Sequence, residues 1–133
     1  MLEITQSAYD SMLLHGISGL PHESCGLLVS SAGDGVIDKF VPCVNAADSS
    51  RVYSIAPAEW LKIERECDAA GESIVGVMHS HTHTEPYPSA TDIEQAPDPT
   101  WHYVIVSYRD SVGSLRAFCL GAASVIELPV VVS

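Results

Sequence analysis

Residues 79–92 read HSHTHTEPYPSATD, a run that brings imidazole, hydroxyl and carboxylate groups together, the side chains that bind metal ions and serve hydrolysis. Alternate side chains of a strand share one face, so His79 and His81 can present both imidazoles to a single ion. Six histidines in 133 residues produce an H-x-H pair by chance about one time in five on simple pair counting, so the pair alone is weak. Asp92 adds a carboxylate at the start of an expected short helix, whose backbone would turn it back toward the strand end. Two imidazoles and a carboxylate leave one place open on a tetrahedral Zn²⁺, and water held there would have its pKa lowered toward about 7. The chemistry indicated is hydrolysis.

Ser89 lies three residues before Asp92, the spacing of an N-cap serine with a carboxylate on the third helical residue, close to a capping box. Its hydroxyl is also suited to donate to the oxyanion of a tetrahedral intermediate, and the two roles are compatible. Hydrolysis further needs a group that takes a proton from water and passes it to the leaving amine. Glu85 lies in the loop, Glu94 is expected to face solvent, and distant Glu23 precedes an apolar run. The residues alone leave that choice open.

The elements that must position these groups follow from the hydrophobic pattern. Tyr9, Met12 and Leu13 fall at helical spacing from Ser7 to about Ile17, with His15 placed to close that helix. CGLLVS reads as a buried strand, SAGDG as a hairpin turn, VIDKFVPCVN as a second strand and VYSI as a short further one. Pro57 opens a helix with Trp60, Leu61, Ile63 and Cys67 on one face, and Gly71 stops it. SIVGVMHSH is nearly all apolar before it turns histidine-rich, the pattern of a central strand whose end emerges into a cleft. SATDIEQA suits a short helix, followed by WHYVIVSY, the turn RDSVGS, LRAFCLG and a last strand in SVIELPVVV. Helices separated by strands predict an α/β or α+β fold, a mixed sheet flanked by helices, in one domain spanning 1–133.

Composition narrows the function classes. Hydrophobic residues make up 47% and charged ones 17%, against roughly 25% charged in ordinary soluble domains, which predicts a packed globule. Seventeen acidic against six basic residues argue against nucleic acid and fit either solubility or the steering of a cationic partner. The first residues carry no basic leader, and no apolar run approaches the roughly 18 residues that span a bilayer, so no membrane is expected. Cys25, Cys43, Cys67 and Cys119 form no CxxC and read as buried free thiols, which fits a reducing cytoplasm.

PHESCGLL at 21–28 and HSHTHTEPYPSATD together resemble the JAMM (MPN-plus) metalloprotease family, whose pattern is a glutamate far upstream, H-x-H, seven residues, then S-x-x-D. Thr82, where other members carry proline, together with NAADSSRVY and HYVIVSYRD, resembles the bacterial branch that acts on sulfur-carrier proteins. The resemblance implies a cytidine-deaminase-like mixed sheet, Zn²⁺ on His79, His81 and Asp92, Glu23 as general acid/base and Ser89 as oxyanion donor. It implies a substrate as well: a ubiquitin-like sulfur carrier whose C-terminal glycine bears cysteine, released as the free amino acid in cysteine biosynthesis. The carrier's glycine tail is expected along a sheet edge, and a homodimer is compatible with the sequence. Rival readings are a related isopeptidase that removes other adducts and a non-catalytic MPN scaffold, which the complete motif disfavours. His83 and His22 depart from the branch's usual residues and are expected to be non-ligands. His102 is expected to be a satisfied sheet histidine, and Asn45 recurs in the branch without an assigned role.

Overall fold

The apolar runs CGLLVS and SIVGVMHSH carry no polar alternation, as befits strands covered on both faces, and they lie side by side in the middle of the sheet as β2 (Cys25–Ser30) and β4 (Ser73–His81). The computed structural model describes residues 1–96, 98–109, 113–121 and 124–133. Six strands form the main sheet in the order β3-β2-β4-β5-β6-β7, with β3 Lys39–Cys43, β5 His102–Ser107, β6 Ser114–Leu120 and β7 Val125–Leu128. β4 and β5 are parallel and the other neighbours antiparallel, so the sheet is mixed and the fold α+β, as the sequence predicts.

Strand alternation builds a core on each face. Met78, Val104, Val106 and Ala117 pack with Ala8 and Met12 of α1 (Gln6–Gly19). Val77, Tyr103, Ile105 and Phe118 pack on the opposite face with Ile63 and Cys67 of α2 (Pro57–Ala70). Thr5 caps α1 by accepting the Ala8 amide at 3.3 Å. α2 has Pro57 in its first turn and stops at Gly71, whose left-handed φ of 71° favours glycine. His79 falls on the α2 side, two residues beyond Val77. No helix among the described residues is long and apolar enough to cross a membrane.

Several elements differ from the sequence expectation. LEI forms a short strand, β1 (Leu2–Ile4), that pairs in parallel with β8 (Val130–Val132). The expected last strand is therefore two, broken at Pro129, which has no N–H for a ladder. The second strand is shorter than VIDKFVPCVN: Ile37 leaves it to bridge Ile4, and only Lys39–Cys43 pairs with β2. VYSI forms no strand, because Asn45 Oδ1 takes the Ser54 amide at 3.0 Å where a ladder partner would stand. Leu61 lies off the buried face of α2 and is exposed, whereas Ile63 and Cys67 are buried. His15 sits inside α1 rather than closing it, its Nε2 bonded to the carbonyls of Cys25 at 3.0 Å and Cys43 at 3.3 Å. The turn RDSVGS falls partly outside the described residues. Cys25, Cys43 and Cys67 are buried free thiols and Cys119 is partly exposed.

Backbones approach closely at Gly76, beside His102 in the parallel pair. A Cβ there would lie 2.0 Å from the His102 carbonyl oxygen, and two paired strands cannot separate locally without breaking the ladder. Gly76→Ala should therefore lower stability by about 2–3 kcal/mol, the cost of overpacking a core, as measured by denaturant unfolding.

Candidate metal centre and active site

β4 delivers His79 and His81 to its carboxyl end, buried to 2% and 4% exposure. The antiparallel register with β2 sets Cys25 opposite His79. One step further, Ser24 and Ser80 exchange two bonds, Ser24 amide to Ser80 Oγ at 2.7 Å and Ser80 amide to Ser24 carbonyl at 2.9 Å. That exchange brings Glu23 level with His81. Glu23 is itself buried, 5% exposed, and its Oε1 has no hydrogen-bond partner among the described residues.

Asp92 comes back to this point on α3 (Ala90–Glu94), as its expected place at a helix start requires. Ser89 is the N-cap: its Oγ accepts the Asp92 amide at 3.1 Å, and its own amide donates to Asp92 Oδ2 at 2.8 Å, a complete capping box. The same Oδ2 lies 3.0 Å from His81 Nε2 and 3.2 Å from His79 Nε2, and the two imidazole nitrogens are 3.2 Å apart.

The tautomer of His81 follows from its other nitrogen. Nδ1 lies 2.9 Å from the Glu85 carbonyl, which only accepts, so Nδ1 carries the hydrogen and the neutral ring turns the Nε2 lone pair inward. Glu85 thus contributes through its backbone, and its side chain is exposed. His79 is held differently. Its Nδ1 is buried without a partner among the described residues, and the Tyr53 ring stacks on the imidazole at 4.6 Å.

Two imidazole nitrogens and a carboxylate oxygen in so small a triangle repel one another unless a positive charge, a proton on an imidazole or a metal ion, stands between them. Burial raises the Asp92 carboxyl, yet hydrogen bonds from His79 and His81 outweigh it and hold the group well below the usual carboxylate range. Burial lowers His79, whereas bonds to Asp92 and to the Glu85 carbonyl overcome burial at His81 and raise it. The donor set fits a cation: His79, His81 and Asp92 could hold a metal ion. For Glu23 burial is the main cause, with Asp92 adding and His81 opposing, and its carboxyl is pushed up to about 7.

A cleft of about 370 Å³ opens over the site, lined by Glu23, His81 and Ser89 together with Arg51, Thr82 and His83. Thus the structure gathers all five sequence-predicted residues at one place. His83 is exposed at the cleft and outside the cluster. His22 is half-exposed and pairs with Asp48 at 2.8 Å. His102 is not satisfied as expected: its Nδ1 is buried without a partner among the described residues. Glu94 is exposed.

Two supporting residues lie in NAADSSRVY, the segment that carries the branch resemblance without assigning them a role. Tyr53 is one, fixing His79 by ring stacking alone. Asn45 is the other: its Nδ2 donates to the carbonyls of Glu23 at 2.9 Å and Val52 at 3.0 Å, and its Oδ1 accepts the Ala47 and Ser54 amides, each at 3.0 Å. The signal available for Asn45 is its place at the head of the turn-rich stretch NAADSS, where asparagine side chains replace backbone partners.

The family profile for prokaryotic homologs of the JAB domain matches residues 5–120. The chain is 37% identical over 131 residues to the CysO-cysteine peptidase of Mycobacterium tuberculosis, covering 98% of this chain and 90% of that protein. It is 36% identical over 111 residues to the desampylase of Haloferax volcanii, 80% of each chain. A solution structure from Desulfitobacterium hafniense superposes with a TM-score of 0.90 at 28% identity, over 100% of this chain and 93% of that one. A JAB1/MPN domain protein from Archaeoglobus fulgidus shares the fold, with a TM-score of 0.66 at 18% identity over 100% and 97% of the two chains. With the profile spanning most of the chain and peptidases among its near relatives, the chain belongs to the prokaryotic JAB family and is a hydrolase of the JAMM type.

Proposed function

We propose that this hydrolase is a zinc peptidase that cleaves the bond between the C-terminal glycine of a ubiquitin-like sulfur-carrier protein and an attached cysteine, with residues 1–133 acting as one domain. The observation that carries the reading is the convergence of His79 Nε2, His81 Nε2 and Asp92 Oδ2 within 3.2 Å, with Glu23 and Ser89 on the same cleft. Likeness to a CysO-cysteine peptidase supports the carrier and the cysteine.

His79, His81 and Asp92 would hold the ion, which when bound activates water and polarises the scissile carbonyl. Glu23, with its carboxyl at about 7, is matched to proton transfer near neutral pH: it takes a proton from the attacking water and delivers it to the departing amine. Ser89 Oγ already accepts the Asp92 amide, so its hydroxyl hydrogen is available to the oxyanion in the cleft. Capping and oxyanion stabilisation use different parts of one hydroxyl.

A second reading, removal of lysine-linked adducts, draws on the likeness to desampylase. The product separates the two. Carrier–cysteine conjugate incubated with the zinc-loaded protein should yield free cysteine, read by thiol derivatisation and mass spectrometry; cleavage of a lysine-linked conjugate alone would favour the second reading. Glu23→Gln should keep its zinc and lose about 10²–10⁴-fold in turnover, the range of a general acid/base. By elemental analysis, His79→Ala, His81→Ala and Asp92→Ala should each lose most bound zinc, whereas His83→Ala should stay close to the unmutated content. A metal-free His83→Ala would make that residue a ligand.

A further inference from the structure

We infer that Arg51 reads the free α-carboxylate of the leaving amino acid, which makes the leaving-group side of the cleft selective for a terminal amino acid over a lysine side chain. This inference rests on the reading given under Proposed function. Its starting point is charge. The protein carries a net charge of −11, a repulsive background for a leaving group with its own carboxylate unless a cation on that side of the cleft answers it.

Among the described residues, Arg51 is the only lysine or arginine that lines the cleft. Its guanidinium forms no ion pair or hydrogen bond among the described residues; Lys39 is paired with Glu72 at 3.1 Å, Arg116 grips Glu127 with bonds of 2.8 and 2.6 Å, and the unpaired Lys62 and Arg65 lie on α2, outside the cleft lining. An exposed arginine left unpartnered in so acidic a chain is poised for an external anion, and its planar fork matches a carboxylate.

The backbone that bears it is fixed. The Arg51 amide donates to Ser49 Oγ at 3.0 Å, the Ser50 carbonyl accepts Thr82 Oγ1 at 3.1 Å, and the Ser49 carbonyl accepts the Glu23 amide at 2.7 Å. Arg51 is therefore anchored beside Glu23, the group assigned to protonate the leaving amine. In an α-amino acid the carboxylate is bonded to the carbon that bears that nitrogen, so a cation one side chain from Glu23 is within reach of it. A lysine isopeptide bond places its leaving nitrogen at the end of a four-carbon stem, with no carboxylate nearby.

The test compares two carriers whose terminal glycine bears cysteine, one with the free α-carboxylate and one with a carboxamide in its place, both cleaved by the zinc-loaded full-length protein. The unmutated protein should prefer the free acid by roughly tenfold or more in kcat/KM, as expected for a charge-assisted pair. Arg51→Ala should bring the preference close to unity by slowing the acid and sparing the amide, and Arg51→Lys should keep part of it; zinc content and melting temperature should not change. Equal cleavage of acid and amide by the unmutated protein, or equal slowing of both by Arg51→Ala, would overturn the inference and leave the peptidase reading standing. Release from neither substrate by the unmutated protein would overturn the peptidase reading and the inference with it.

Discussion

One oxygen atom, Asp92 Oδ2, carries the constraint on which the site depends. It accepts the Ser89 amide as part of a helix cap and faces both imidazole nitrogens at 3.0–3.2 Å. A capping box is worth only about 1 kcal/mol to a helix, and α3 is five residues long. The larger effect is orientation. The cap fixes a carboxylate at the head of a short helix whose Ile93 packs on the core, and the carboxylate fixes the triangle.

That triangle in turn requires burial on three sides. His79 has Tyr53 against its ring, His81 has a backbone carbonyl behind it, and Glu23 stands alongside with one oxygen unpartnered. Burying four ionisable groups within a few ångströms is costly unless their charges balance. Desolvation raises Glu23 and Asp92 alike, and only Asp92 has hydrogen-bond donors enough to reverse it. The two carboxyls thus come to differ widely in acidity by environment alone, the arrangement in which one group holds charge while the other moves a proton.

The histidine pair, Ser89 and Asp92 are legible in the sequence because strand alternation and helix capping are local rules that act within fourteen residues. Glu23 is not legible from spacing. Its position follows from the register of β2 on β4, a long-range pairing that leaves no local trace, and only the resemblance to a known motif singled it out. Tyr53 and Asn45 act through ring stacking and through an amide that substitutes for a strand partner, neither of which has a periodic signature. The same substitution explains why VYSI, β-rich in composition, is not a strand. The central strands were readable from their apolar runs, whereas β1 is too short to show a pattern, and the break at Pro129 depends on a partner strand far away in the chain.

The segment from Asn45 to Tyr53 is secured by main-chain groups, the Asn45 amide and the hydroxyls of Ser49 and Thr82, not by the side chains at 47, 48, 50 and 51 packing into the core. The exposed side chains of Ala47 and Arg51 can change without disturbing the sheet, the metal-binding cluster or the Glu23 backbone, whereas Asp48 is tied to His22 and to a left-handed φ of 49°. Chemistry and selectivity are therefore separable in evolution. With Arg51 as the proposed reader of the leaving group, a lineage could acquire a new one by altering a few residues on that wall while the hydrolytic apparatus is inherited unchanged.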